Sequence, residues 1–90
     1  MFPFRDNPSA HRYELDAPEG MSFADYRDVA DVRVIMHVET PEAARGRGYA
    51  SKLMSEIVAR ARAEGAKLRA SCAFAVAYFR RHPDTADVQA

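Results

Sequence analysis

Three short segments in the first half of the chain are predicted β-strands. The first and the third alternate between apolar and polar residues, which is the two-residue period of a strand, and the second contains the β-favouring residues Phe23 and Tyr26. The three segments cover residues 10–16, 21–29 and 31–40, and a turn with the sequence Ala-Pro-Glu-Gly at residues 17–20 separates the first two. Residues 1–8, which contain two prolines, are expected to form a loose lead-in. Short links between consecutive strands favour an antiparallel meander.

Alternation is clearest in the third segment. Its two predicted faces are Val32, Val34, Met36 and Val38 on one side, and Arg33, Ile35, His37 and Glu39 on the other. The histidine and the glutamate that end the second set therefore project from the same face of the strand, just before the following loop.

A helical period replaces the alternation in the second half of the chain. Apolar residues recur at helical spacing at Ala50, Leu53, Met54, Ile57, Val58 and Ala61. Gly65 is a typical residue to end this helix, residues 67–72 form a fourth predicted strand, and residues 74–81 form a second helix that stops before Pro83. The predicted order β-β-β-α-β-α is that of an α+β domain, mostly antiparallel, in which the first helix crosses over and makes strands three and four parallel neighbours.

The composition is that of one ordinary globular domain, which we expect to cover residues 1–90. The chain is 48% hydrophobic and its net charge is zero, which disfavours charge-driven binding to nucleic acid or to an anionic membrane. Residues 41–70, however, hold seven Lys or Arg and only three Glu. This local excess of positive charge favours a polyanionic ligand.

Cysteine usage and hydropathy argue against a disulfide-bonded, metal-binding, membrane-spanning or secreted protein. The single cysteine, Cys72, excludes an internal disulfide framework and offers no CxxC metal pair, so no metal is expected. No apolar stretch approaches the ~20 residues that span a bilayer, and the first residues lack the pattern of a signal peptide. These features predict a cytoplasmic protein that binds neither membrane nor nucleic acid.

The positions before the first helix carry the strongest chemical signal. A helix begins with unpaired N–H groups that a Ser, Thr, Asp or Asn side chain usually caps, but here the preceding residues are Arg45, Gly46, Arg47 and Gly48. Glycines let a ligand approach the backbone, and the helix dipole and the arginines favour an anion, so a phosphate would take the place of the cap. Two alternatives remain: an exposed basic loop whose glycines only turn the chain, and an RNA-binding Arg-Gly segment, which is typically longer and disordered.

The segment Arg45-Gly46-Arg47-Gly48-Tyr49-Ala50 resembles the signature of the acetyltransferase superfamily known as GNAT, which is Gln or Arg, two residues, Gly, one residue, and Gly or Ala. It also lies between a strand and a long helix, as in that family. The resemblance implies a GNAT-like fold and acetyl-coenzyme A as acyl donor, with its pyrophosphate held by this loop and the start of the helix through Ser51. It further implies that the pantetheine arm lies between strands three and four, where they splay apart.

The resemblance extends to a subgroup of very short, single-domain GNAT-like proteins. Its pattern is matched by His37-Val38-Glu39, Cys72-Ala73-Phe74, Tyr78 and His82-Pro83. The chain departs from the pattern of the subgroup at Val38 and Thr40 and at Asp84-Thr85, all of which lie outside residues 45–50. Typical GNAT enzymes also carry extra N-terminal helices that build the acceptor pocket, and these ninety residues have no room for them. The resemblance therefore leaves the acceptor undefined.

Four residues are candidates for the chemistry, each with an alternative structural role. Glu39 or His37 could take the proton from an attacking ammonium, or could belong to a solvated polar face. Cys72 could form an acetyl-enzyme, or could act as a small buried hydrophobic residue. By the resemblance, Tyr78 would protonate the departing thiolate, whereas the pattern alone also allows it to be a packing residue of an apolar helix.

Two functions remain open at this point. The first is transfer of an acetyl group from acetyl-coenzyme A to an unknown primary amine by direct attack, with Glu39 as base and Tyr78 as acid. The second is a non-catalytic module of the same fold that binds or senses acyl-coenzyme A. The expected partners are coenzyme A and an amine acceptor, for a monomer or a homodimer.

Overall fold

The computed structural model describes residues 2–90, which form one five-stranded sheet and two α-helices in an α+β arrangement. The strands, in spatial as well as chain order, are β1 (Phe4–Asn7), β2 (Arg12–Ala17), β3 (Gly20–Val29), β4 (Val32–Glu39) and β5 (Lys67–Ala70). The helices are α1 (Tyr49–Glu64), which connects β4 to β5, and α2 (Ala73–Arg81). Strands β1 to β4 are antiparallel to their neighbours, and β5 is parallel to β4. The α+β class that the sequence predicts is confirmed.

The loose lead-in predicted for residues 1–8 is wrong where it covers β1, the edge strand of the sheet. Phe4 pairs with Leu15 and the strand runs antiparallel to β2. Met1, which belongs to the same predicted segment, lies outside the described residues. Because β1 adds a strand at the beginning, the parallel pair is β4–β5 and not strands three and four.

A bulge in β4 overturns the predicted alternation of its side chains. The pairing with β3 shifts between Ile35 and His37, so Met36 is an extra residue on β4. Ile35 is fully buried, whereas Met36 is 41% exposed. His37 and Glu39 therefore still share one face, but it is the solvent-exposed face, opposite to the side on which Ile35 packs into the core.

One face of the sheet packs against the apolar stripe of α1 to form the core. The largest buried apolar side chains are Tyr13, Leu15, Ile35, Leu53, Met54, Ile57, Leu68 and Val88. The helix ends as predicted at Gly65, whose left-handed backbone (φ 68°) lets its amide bond to the carbonyls of Ala61 and Arg62. Neither α-helix within residues 2–90 is long and apolar enough to cross a membrane.

The parallel pair β4–β5 separates before β4 ends. Ser71 makes the last link, donating its amide to the carbonyl of Ile35 at 2.9 Å. Residues 37–39 then continue along β3 alone, while the chain after Ser71 turns into α2. We call residues 37–39 the free edge of β4, because no strand pairs with their other side within the part of the chain that the structure describes.

Candidate functional site: the loop before helix α1

Residues 45–48, here called the anion loop, lead from the turn after β4 into the first residue of α1. Gly46 and Gly48 both have left-handed backbone conformations, with φ of 81° and 80°. A Cβ atom added at either glycine would meet no other atom within 4 Å. The glycines are therefore needed for the backbone conformation, and the space into which a side chain would project is open to a ligand.

The first turn of α1 has no cap, as the sequence predicts. Gly48 occupies the N-cap position, and no side chain accepts a hydrogen bond there. Within residues 2–90, the amides of Tyr49, Ala50 and Ser51 donate to no acceptor, and the first paired amide is that of Lys52, to the carbonyl of Gly48 at 3.0 Å. Three unpaired donors at the positive end of a helix dipole are a typical anion-binding arrangement.

A cavity of about 240 Å³ lies against this helix start. Its lining consists of Thr40, Ala44, Arg45, Gly46, Gly48, Tyr49, Ala50, Ser51 and Phe74. Phe74, in the first turn of α2, is 38% exposed and forms the apolar side of the cavity. The volume is just below the range of drug-sized ligand sites, so the cavity fits one part of a long ligand, such as a pyrophosphate, better than a whole one. The sequence pattern contains Phe74 but does not indicate that it faces the anion loop.

The two arginines of the anion loop bind other parts of the protein. Arg45 donates from Nε to the carbonyl of Thr40 at 3.1 Å, and Nε of Arg47 lies 3.1 Å from Oε2 of Glu19. Glu19 also accepts a hydrogen bond from the hydroxyl of Tyr49 at 2.8 Å, and this bond raises the pKa of Tyr49. Sequence reasoning missed Glu19, because only the folding of the β2–β3 turn onto the loop brings it there.

His37 and Glu39 form a pair on the exposed face of the sheet. Nε2 of His37 and Oε1 of Glu39 are 3.0 Å apart, and their side chains are 54% and 51% exposed. When Nε2–H of His37 donates a hydrogen bond to the carboxylate, Nδ1 of the imidazole has a lone pair that can take a proton. The pair can therefore act as one base, in which the carboxylate orients the imidazole.

Cys72 is not the last residue of a strand, as the sequence predicts, but the N-cap of α2. Its Sγ accepts a hydrogen bond from the amide of Ala75 at 3.4 Å, and the side chain is half-buried. The preceding Ser71 donates from its hydroxyl to the sulfur of Met36 at 3.6 Å, which places the start of α2 beside the bulge of β4. The sulfur thus has a structural role as a cap, which does not depend on any reactivity.

Tyr78 lies further along α2 and packs into the core. Its ring stacks on that of His82, with centroids 4.0 Å apart and planes inclined by 20°. Nδ1 of His82 lies 2.8 Å from the carbonyl oxygen of Tyr78, so the histidine fastens the end of the helix. Burial raises the pKa of Tyr78, and the charge of Asp84 adds to the shift. A phenol with a raised pKa stays protonated at neutral pH but gives up its proton less readily.

Comparisons with known proteins found a family match and a similar fold. A sequence profile of the family described as GCN5-related N-acetyl-transferase matches residues 12–88. The solution structure of a GCN5-like protein from Staphylococcus aureus is similar, with a TM-score of 0.69 and 22% sequence identity. That match covers 98% of this chain and 87% of the other. The comparison with curated protein sequences found no match.

Proposed function

The chain belongs to the GCN5-related N-acetyltransferase family, and on this premise we propose that it binds acetyl-coenzyme A at the anion loop and transfers the acetyl group to a primary amine. The observation that carries the proposal is the uncapped start of α1. Amides without acceptors at Tyr49, Ala50 and Ser51 follow directly on Gly48, which lines the cavity and has no atom within 4 Å of an added Cβ. A pyrophosphate bound there would accept from these amides and lie at the positive end of the helix.

The pantetheine arm of acetyl-coenzyme A would extend from the anion loop along the free edge of β4. The cavity at the loop reaches Phe74 in α2, and the side chains of Ser71 and Met36 join the start of α2 to the bulge of β4. Backbone groups of residues 37–39 on the side away from β3 are available to bind the amides of a pantetheine arm. This route brings the thioester close to the strand that carries His37 and Glu39.

The chemistry proposed at the thioester is direct attack by the amine. A bond forms between the amine nitrogen and the acetyl carbon, the carbon–sulfur bond breaks, and coenzyme A leaves as a thiolate. The His37–Glu39 pair takes the proton that the amine loses, since the two side chains are hydrogen-bonded and accessible. Tyr78 is assigned to protonate the thiolate on the resemblance to the family alone, because its burial and its stacking on His82 are equally those of a packing residue.

A second candidate function is a module that binds acyl-coenzyme A without efficient turnover. The observation that favours it is the exposure of His37 and Glu39, each more than half accessible on the sheet face. Catalytic groups usually act in sites that exclude water, where electrostatic interactions are stronger. Turnover would then require the acceptor itself to cover this face.

A titration with acetyl-coenzyme A, followed by backbone amide NMR, tests the proposed ligand. We expect the largest shifts at residues 45–51 and at residues 72–74, because these surround the cavity and the start of α2. Release of free coenzyme A in the presence of amines then separates the two functions: steady release indicates an enzyme, and binding without release indicates the module. Shifts confined to other parts of the sheet would contradict the proposed site.

Replacing Cys72 with serine is expected to preserve folding and coenzyme A binding, with only a partial loss of acetyl transfer. Serine is a good N-cap residue, so its hydroxyl can take over the bond from the Ala75 amide. Intact mass spectrometry after incubation with acetyl-coenzyme A measures any acetyl-enzyme, with Ser71→Ala as the control for loss of a neighbouring side chain. A stable gain of one acetyl group that disappears only in Cys72→Ser would replace direct attack with a covalent route.

A further inference from the structure

The turn between β2 and β3 packs directly against the segment that leads into the anion loop. A Cβ atom added at Gly20 would come within 2.9 Å of Cγ of Pro41, so the turn and the proline are in close contact. Beside them, the hydroxyl of Ser22 donates to that of Thr40 at 3.1 Å, and Ser22 is fully buried. The turn therefore has a fixed position relative to the loop.

Glu19 reaches from this turn to both sides of Gly48. One carboxylate oxygen lies 3.1 Å from Nε of Arg47, and the other accepts from the hydroxyl of Tyr49 at 2.8 Å. The ring of Tyr49 is further held by an edge contact with Phe2, with centroids 5.3 Å apart. The carboxylate of Glu19 thus links Arg47, which precedes the N-cap residue Gly48, to Tyr49, the first residue of α1.

We infer that Glu19 is a positioning residue for coenzyme A binding: by holding Arg47 and Tyr49, it fixes the anion loop in the conformation that a pyrophosphate requires. The inference rests on the proposed function. A loop with two glycines has many conformations, and ordering it on binding would reduce affinity. A loop that is already held in the binding conformation avoids this cost.

The ion pair with Glu19 also restricts the direction of the Arg47 side chain. Because the carboxylate binds Arg47 at Nε, its terminal Nη atoms remain able to donate to a phosphate. The negative charge of Glu19 opposes a phosphate nearby, but its pairing with Arg47 and the screening by solvent at this exposed guanidinium weaken that repulsion. When Glu19 is removed, the affinity for coenzyme A therefore falls, because the disorder gained by the anion loop has a larger effect than the relief of repulsion between Glu19 and the phosphate.

The test measures the affinity of the whole chain for coenzyme A by calorimetry in Glu19→Ala and Glu19→Gln. We expect a roughly tenfold loss in Glu19→Ala and a smaller loss in Glu19→Gln, whose amide oxygen can still accept from Tyr49 although the carboxylate oxygen beside Arg47 is lost. The matched control is Asp87→Asn, which removes an exposed ion pair with Arg62 (2.7 Å) in another part of the molecule. It should leave the affinity unchanged.

The Arg47→Gln background distinguishes positioning from a general structural effect. There, Glu19→Ala should change the affinity by less than about threefold, because the guanidinium that Glu19 orients is already absent and only the hydrogen bond to Tyr49 is left to lose. Affinity equal to or above that of the wild type in Glu19→Ala would overturn the inference, as would a full tenfold loss in the Arg47→Gln background. If the wild-type chain itself fails to bind coenzyme A, the proposed function fails, and the inference falls with it.

Discussion

Replacing Gly48 with alanine is expected to weaken the binding of acetyl-coenzyme A by at least 30-fold, which corresponds to about 2 kcal/mol. The methyl group would project into open space at the start of α1, where the proposed site places a phosphate. The left-handed φ of 80° is also unfavourable for alanine, so the backbone will tend to move away from the geometry that presents its amides. Calorimetric titration of the folded variant measures the effect.

The same helix supplies a matched control in Gly65→Ala. Gly65 lies at the other end of α1, is also left-handed (φ 68°) and also has no atom within 4 Å of an added Cβ. Both variants should lose roughly 1 kcal/mol of stability from backbone strain, but only Gly48→Ala should lose the ligand. Equal losses of binding in the two variants would assign the effect to helix stability, and unchanged binding in Gly48→Ala would move the anion site elsewhere.

Replacing Glu39 with glutamine is expected to lower the rate of acetyl transfer by about 100-fold, while leaving the affinity for acetyl-coenzyme A unchanged. The amide keeps the size of the side chain but lacks the negative charge of the carboxylate, which is hydrogen-bonded to His37 at 3.0 Å. His37→Gln should have a similar effect. The rate of coenzyme A release is measured with the amine acceptor that supports turnover in the wild-type protein.

Two comparisons make this result specific to the pair. Because the residues act as a unit, the double variant of His37 and Glu39 should be no slower than the slower single variant. Glu42→Gln, which neutralises another exposed carboxylate nearby in the chain, should keep the wild-type rate. A fully active Glu39→Gln, or single effects that multiply in the double variant, would show that the pair is not the base.

The elements that sequence could predict are those whose signals are local. The apolar stripe of α1, its end at Gly65 and its uncapped start at Gly48 depend on residues within the helix or next to it. The α+β class and the family likewise follow from the order of the elements and from a contiguous motif at residues 45–50, and the family match confirms them. These features need no knowledge of distant contacts.

Strand β1 could not be predicted from the sequence, because its formation depends on pairing with another strand and not on a local signal. Four residues between two prolines show no apolar alternation that would mark them as a strand. These four residues form a strand because they pair with β2. The side chain of Arg5 in β1 bonds to two residues of β2, Glu14 at 2.6 Å and Asp16 at 2.8 Å. Glu14 is only 2% exposed, and its hydrogen bonds to Arg5, Asn7 and Arg12 compensate for its burial.

The sequence by itself determined the uncapped start of α1, the set of candidate residues for the proposed chemistry and the family to which the chain belongs. Only the tertiary structure decided which side chains come into contact and which face of the sheet they occupy. The bulge at Met36 places His37 and Glu39 on the exposed face, opposite Ile35, and the β2–β3 turn brings Glu19 to Arg47 and Tyr49. The physical reason is that helix periods and caps depend on neighbours within a few residues, whereas a bulge and an ion pair between turns depend on how separate strands pair and pack.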